Sequence, residues 1–567
     1  LSYKFEDQGG LKFAARAPGK GGRAHAPRHA WLDPFASLES DPPMKAILLG
    51  ALCASFLLGA SALAQDGLTT AAGGKPRLMV DGKPFLVLGV QLNNSSGYPA
   101  ALHALGPAVA RSHANTVMAP IGWESIEPVE GRYDFSLIDG LVAEARTQKV
   151  RLALLWFGSW KNGAMSYTPA WVKRDTVRFP RVMTREGRAI EALSPIGAAS
   201  RDADARALGA VMAHLKAIDG KQKTVIMVQV ENEAGVLGSD RDYSPTAQAL
   251  YDAPVPADMP VARPGGWTQN YAERAPEAFM AYHTARYVGV VAAAGKAAYD
   301  LPLYVNVWPR EQPGLERPGE SSPSGGAVSW LLPQWRTLAP AVDIVGVDNY
   351  DINVAPYTAI ARAYDVPGNP LFVPETGGSM AHARHAFWTI AQPHSVGISK
   401  FGLDDQFGLK DGREAEEPMA ATYRLLGPAA SVLLPLRDEG KVGVAVEEDG
   451  LANIPLPFSA VDLVARFGEV RDGYGGPRGQ GNKDLSGRVL VAEAAPDRFY
   501  VTGTSANLKF SPKLGQTGSV QLVTVQEGRF EAGAWIGERL LNGDETAFGL
   551  ILPKEGRSLL VTVQVNP

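Results

Sequence analysis

Two short stretches carry carboxylates where a folded chain seldom leaves them. Residues 224–235 read TVIMVQVENEAG, a β-branched apolar run that ends abruptly in Glu231, Asn232 and Glu233 before a glycine. The apolar part reads as a buried strand of a parallel sheet. Burying an ionised carboxylate without a partner is costly, and chemistry is a reason to keep one there. Residues 371–378, LFVPETGG, repeat the pattern: an apolar run, Glu375, then glycines. Two carboxyl groups at strand ends can divide the cleavage of a glycosidic bond between them. In the retaining form of that chemistry one protonates the leaving oxygen and the other attacks the anomeric carbon, from roughly 5–5.5 Å apart. The alternative is an ion pair that only ties loops together. Alternation puts Glu231 and Glu233 on one face of a strand, so it does not choose between them.

Two strand ends so far apart in sequence need a scaffold that gathers them. Strand-like runs occur at 85–90, 114–118, 151–156, 224–230, 303–308, 342–347, 371–375 and 396–403. Helical stretches at 99–112, 136–148, 202–218 and 275–298 separate several of them. Such alternation predicts a parallel sheet, and eight repeats predict a (β/α)8 barrel with its chemistry at the C-terminal strand ends. A small hairpin turning at Asp81-Gly82 precedes the first strand. Long insertions at 164–200 and 236–272, the second rich in Pro and Gly, would overhang the site.

The run Gln229-Val230-Glu231-Asn232-Glu233, with a later strand ending in Pro374-Glu375-Thr376, resembles family 35 glycoside hydrolases, the β-galactosidases of the large retaining (β/α)8 clan. A second motif joins Trp123, Glu127-Pro128 and GRYDF at 131–135. It resembles the loop after strand two in family 35 and family 42 β-galactosidases. The resemblance covers roughly residues 75–430. It implies that Glu233, directly after Asn232, is the acid/base and Glu375 the nucleophile. It also implies that Tyr350 hydrogen-bonds the nucleophile. Asn232 is expected to contact the sugar's 2-hydroxyl, where contacts tighten in the transition state. Aromatic rings at strand ends suit stacking on a pyranose, which makes Trp123, Trp156, Trp160, Trp308 and Tyr350 candidates for a sugar platform. Asn94, Glu127 and Asn162 are candidates for hydroxyl contacts. The expected function is hydrolysis of terminal β-galactosides by double displacement. A β-glucosidase or β-mannanase of the same clan is the alternative among enzymes. A non-catalytic carbohydrate-binding protein is the alternative outside them, although such a relative would often have lost one Glu.

The chain has 567 residues, 45% of them hydrophobic and 20% charged, with a net charge of −4. That length suits a large barrel plus a smaller module. The absence of a basic excess argues against nucleic acid as a partner, and the resemblance implies a carbohydrate substrate. Residues 1–43 show no periodicity. Met44-Lys45, the apolar run 46–63 and Ala62-Leu63-Ala64-Gln65 then read as a signal peptide, so 1–43 is expected to lie upstream of the true start. The apolar run is about long enough to be a membrane anchor instead, but the cleavage pattern favours removal. Cleavage would leave an exported chain, periplasmic or secreted, beginning near Gln65. It would also remove Cys53, the only cysteine.

The barrel is expected over 65–432. Beyond it, strand-like runs at 442–446, 459–467, 489–492, 498–501, 520–525, 547–552 and 559–565 alternate with turn residues. They predict a β-sandwich over 433–567 that buttresses the barrel. His382 and His385, three apart on a predicted helix, have no carboxylate at metal spacing and are expected to be solvated or capping. The Gly-rich stretch 473–481 lacks the flanking strand and helix of a phosphate cradle and reads as a flexible loop. No Gly-x-Ser-x-Gly elbow appears, which argues against a serine hydrolase. Two carboxylates complete the expected mechanism with no cofactor and no metal.

Overall fold

The computed structural model describes residues 66–70, 76–260, 262–311, 314–406, 417–448, 451, 453–468 and 481–567. The expected signal peptide at 44–64, the segment 1–43 and nearly all of the Gly-rich stretch 473–481 lie outside the described residues.

Eight parallel strands form one sheet in the spatial order six, five, four, three, two, one, eight, seven. They are Val87–Gln91, Thr116–Gly122, Arg151–Lys161, Val225–Asn232, Leu303–Val307, Ile344–Val347, Phe372–Thr376 and Gly397–Lys400. Their number and order are those of the expected (β/α)8 barrel. Strands six and seven meet at a seam without a regular ladder, because Pro374 has no N–H to give. The seam is held instead by Asn349 N–H donating to Glu375 O at 3.0 Å and Thr376 Oγ1 donating to Asn349 O at 2.8 Å. Gly346 permits this close approach: a Cβ there would lie 2.8 Å from Pro374 Cδ.

The N-terminal strands Pro76–Val80 and Lys83–Pro84 form the expected hairpin. Its turn residues Asp81 and Gly82 have φ of 52° and 70°, as a tight two-residue turn requires. Leu78 and Val80 pack against Val87, Ile226, Tyr304 and Phe372 at the N-terminal end of the barrel. That apolar plug leaves the opposite, C-terminal end for chemistry. Helices Ala198–Asp219 and Ala275–Ala298 lie together in the outer layer, where Gly295 accommodates Leu208 and Met212. The single helix expected over 99–112 is two, Pro99–Ala104 and Gly106–Ser112, since Pro107 cannot donate into a continuing helix.

The C-terminal β-module is a sandwich of a six-stranded and a four-stranded sheet. Val489, Val491, Phe499 and Val561 from one face Leu463, Phe467, Leu508 and Leu552 from the other. Strands Asn453–Pro457, Ala506–Pro512 and Ala534–Leu540 were not legible from pattern; the third is almost wholly exposed and so lacks apolar alternation. Helix Ala430–Asp438 runs across residue 433, and the module's first strand begins at Val442. Val446, Leu490, Ala492 and Phe530 belong to the barrel's own core cluster, with Leu433 and Leu434. Arg384 of helix Met380–Ala391 donates to Glu447 O at 2.7 Å, which ties the module to the barrel. Among the described residues no helix is long and apolar enough to cross a membrane.

Candidate active site

Strand four decides which of its two glutamates faces the barrel interior. Regular alternation would leave Glu231 and Glu233 together, but Glu231 and Glu233 have φ of 63° and 46°, and strand three slips in register between Trp156 and Lys161. Left-handed backbone at a non-glycine residue is uncommon and collects at functional sites. Its effect is to change the phase of the strand. Glu231 turns toward the helix layer and Asn232 turns inward.

Glu231 is 1% exposed, and its Oε2 accepts the Trp160 N–H at 2.8 Å. Its Oε1 has no N–H or O–H partner among the described residues, and the carboxylate of Asp204, on helix Ala198–Asp219, lies within hydrogen-bond reach of the side chain. Asp204 already accepts from Trp156 Nε1 at 2.8 Å, Ser159 N at 3.1 Å and Ser159 Oγ at 2.6 Å. Two carboxyls this close can share a hydrogen bond only through a proton held between them. Burial, and then the charge of Asp204, push Glu231 well above the usual carboxylate range. An acid raised by folding contributes stability that is fully present at low pH and lost as pH rises through its folded pKa. Glu231→Gln, neutral at every pH, is therefore expected to flatten the alkaline decline of Tm while sparing the barrel interior. Thermal melts from pH 6 to 10 check this, and a variant that declines as steeply as the wild type would contradict the shared proton.

Glu375, on strand seven, is gripped from several strands at once. Its Oε1 accepts from Gln91 Nε2 at 2.9 Å and Asn232 Nδ2 at 3.2 Å, with Asn306 Nδ2 at 3.5 Å. Its Oε2 accepts the Tyr350 hydroxyl at 3.2 Å. Donors on both oxygens fix its orientation. The Asn232 amide has no freedom to flip, because Lys161 Nζ donates to its Oδ1 at 2.9 Å.

Glu233 is 7% exposed, and its N–H donates to Asn306 Oδ1 at 3.0 Å. Burial first, and the Glu375 charge second, push its carboxyl up to about 7, while Lys161 pulls the other way. One barrel end thus carries two carboxyls of unlike character, one held by donors and one held protonated near neutrality. Such a division is how a pair of carboxyls divides acid and nucleophile roles.

Other sequence candidates fall elsewhere. Trp123, Trp156 and Trp160 are at most 1% exposed and belong to the barrel wall, so none offers a ring face to a sugar. Trp123 donates to Glu127 Oε2 at 2.8 Å and meets Trp171 edge-on, whereas Trp160 packs on Tyr287. Glu127, 3% exposed, also accepts the Gly131 N–H at 2.7 Å and anchors its own loop rather than a hydroxyl. Apolar rings at strand ends are drawn into the core unless a neighbour holds them out, and spacing alone does not reveal which. Trp308 is half-buried just past strand five, and Tyr350 is half-buried beside Glu375. Asn94 is half-buried with an unpartnered Oδ1. Asn162 takes the left-handed turn after Lys161, and its N–H donates to Asn232 O at 3.2 Å.

Four site residues escaped sequence reasoning: Gln91, Lys161, Asn306 and Asp348. Each lies at or just past a strand end, and that polar residue closing an apolar run was the available signal. His382 and His385 are buried rather than solvated. His382 does cap: its Nδ1 faces Ser379 N and Oγ at the helix start, and its Nε2 lies 3.3 Å from Tyr350 O. His385 stacks on Tyr357 with ring centroids 4.0 Å apart. Among the described residues no His, Cys, Asp or Glu side chains are grouped to hold a metal ion.

Comparison with known proteins places this site in context. Residues 108–287 match the glycoside hydrolase family 42 model, described as beta-galactosidase. Residues 419–553 match a domain of unknown function, DUF5597. No curated protein matches the chain. Among solved structures, the catalytic domain of beta-amylase from Paenibacillus polymyxa is similar at 11% identity and a TM-score of 0.42, covering 59% of this chain and 96% of that one. Beta-galactosidase from the psychrophilic Marinomonas ef1 is similar at 10% identity and a TM-score of 0.40, covering 59% of this chain and 55% of its own. The cold-adapted beta-galactosidase from Rahnella sp. R3 follows at 15% identity and a TM-score of 0.40, covering 64% and 58%. The chain thus spans little more than half of either β-galactosidase, and likenesses this distant carry no argument about substrate. The family 42 match lies within the barrel, so this part of the chain is similar to a glycoside hydrolase domain, on a fold of the (β/α)8 type.

Proposed function

We propose that this protein is a retaining β-glycosidase acting on terminal β-galactosides. The observation that carries the reading is the unequal pair at the barrel's C-terminal end. Glu375 is fixed by donors on both oxygens, and Glu233 keeps a proton to about pH 7. Glu375 attacks the anomeric carbon while Glu233 gives its proton to the leaving oxygen. Forming the glycosyl ester removes the Glu375 charge. That lowers the proton affinity of Glu233, which can then take a proton from water and release the sugar. Asn232, held between Lys161 and Glu375, presents its Nδ2 beside the nucleophile, where a 2-hydroxyl would sit. Trp308 and Tyr350 remain to line the sugar.

The galactoside preference rests on the family 42 match and on the sequence resemblance together. Export rests on the pattern at 44–64 alone. A panel of nitrophenyl β-galactoside, β-glucoside and β-mannoside tests the specificity, with the anomer of the first-formed sugar followed by NMR. The β-galactoside is expected to be cleaved fastest, with the β-sugar released first. Release of the α-sugar first would overturn the retaining mechanism, and a faster glucoside or mannoside would overturn the specificity.

A further inference from the structure

A third carboxyl completes the site. Asp348 follows strand six, is 1% exposed, and has its N–H bound to Val307 O at 3.0 Å. Its Oδ2 accepts from Asn306 Nδ2 at 2.7 Å. Among the described residues its Oδ1 meets no N–H or O–H donor, and neither does Oε2 of Glu233. The two carboxyls lie within hydrogen-bond reach of each other, and Asn306 touches both residues, accepting the Glu233 N–H and donating to Asp348. Two carboxyls can share a hydrogen bond only if one of them holds a proton. Asn306 cannot replace that proton, since its Nδ2 already serves Asp348 Oδ2 and its Oδ1 accepts the Glu233 N–H.

Charge counting says which carboxyl keeps it. Asp348 faces Glu375, Glu233, Lys161, Tyr304, Tyr350 and Tyr364. The tyrosines are neutral, so among the described residues the buried cluster holds one cation, Lys161, against three carboxyls. One ionised carboxyl balances Lys161. In the resting site it is Glu375, with its donors on both oxygens. In the glycosyl-enzyme it becomes Glu233, because Glu375 is then an ester. Asp348 is left without a charge in both states. Burial, and then the charges of Glu375 and Glu233, push it well above the usual carboxylate range, in the same direction.

We propose that Asp348 is a positioning residue that keeps its proton throughout the reaction and donates it in a hydrogen bond to Glu233. The bond holds Glu233 in place as an acid and stabilises its carboxylate as a base. This inference rests on the glycosidase reading for its catalytic consequence but not for the proton itself.

Two variants and two measurements test it. Asp348→Asn is neutral, can accept from Asn306 and can donate its own amide to Glu233. The alkaline limb of kcat/KM on a nitrophenyl glycoside should therefore stay where it is in the wild type. Asp348→Leu cannot donate, so the limb should move up by about one pH unit or more, and hydrolysis of the intermediate should slow. A limb that falls by about one unit in Asp348→Asn would show that Asp348 is ionised and would overturn the proposal. A limb unmoved in Asp348→Leu would overturn it equally. Infrared difference spectra of wild type against Asp348→Asn, taken at pH 8 without substrate, read the proton directly. A protonated-carboxyl band present in the wild type and lost in the variant is expected; its absence from the difference would overturn the proposal. A wild type that cleaves no glycoside would count against the glycosidase reading instead, and the infrared result would still decide the proton.

Discussion

Glu375→Ala is expected to lower kcat/KM on nitrophenyl β-galactoside by roughly 10⁴-fold or more, the loss that follows removal of an attacking group. The four side chains that hold this carboxylate, Gln91, Asn232, Asn306 and Tyr350, come from different strand ends and stay in place. They leave a small cavity lined with donors. Azide can occupy it and attack the anomeric carbon from the face opposite the leaving group. One displacement inverts, so the rescued product should be the α-glycosyl azide. Its NMR coupling constant distinguishes it from the β-anomer. Rescue that yields the β-anomer would mean that a nucleophile other than Glu375 still operates.

Glu233→Ala should fail differently. Loss of the acid costs little when the leaving group is a dinitrophenolate, which departs without a proton. Glycosylation of Glu375 should then survive while hydrolysis of the ester, now without its base, becomes limiting. A burst of phenolate equal to the enzyme concentration is expected, followed by slow turnover. Substrates with poor leaving groups should lose several orders of magnitude. Azide should accelerate this variant too, with the β-glycosyl azide as product, since two displacements have taken place. The pH profile gives an independent reading. Glu233 is pushed up to about 7 by burial and by Glu375, and it must be protonated to act as acid. Wild-type kcat/KM should therefore fall as pH rises past about 7, and that alkaline limb should vanish in Glu233→Ala on the activated substrate. A limb that persists there would assign the titration to another group. Near-normal activity of Glu233→Ala on unactivated substrates would remove Glu233 from the acid/base role altogether.

Much of this was legible in the chain itself. β-branched apolar runs closed by polar residues marked the barrel strands, because a strand buried on both faces has no other pattern to show. Two of those strand ends carried Glu233 and Glu375. The hairpin at Asp81-Gly82 followed from turn chemistry, and the long helix expected over 275–298 is Ala275–Ala298. Exposed strands such as Ala534–Leu540 were missed, because no buried face imposes a period on them.

What the residues by themselves determined is the scaffold and the two strand ends that carry carboxyls, since both depend on local burial and strand period; Glu233 rather than Glu231 came from the family resemblance. What only the tertiary structure decided is how the polar residues are dealt between interior and wall. Left-handed backbone at Glu231, in strand four, and at Glu233, just past its end, turns Glu231 toward Asp204 and brings Asn232 onto Glu375. The same folding draws Trp123, Trp156 and Trp160 into the core and assembles Gln91, Lys161, Asn306 and Asp348 from four strand ends. None of this follows from spacing. A hydrogen bond between residues far apart in the chain is set by barrel closure and register, and a single backbone angle of opposite sign is enough to exchange which side chain faces the substrate.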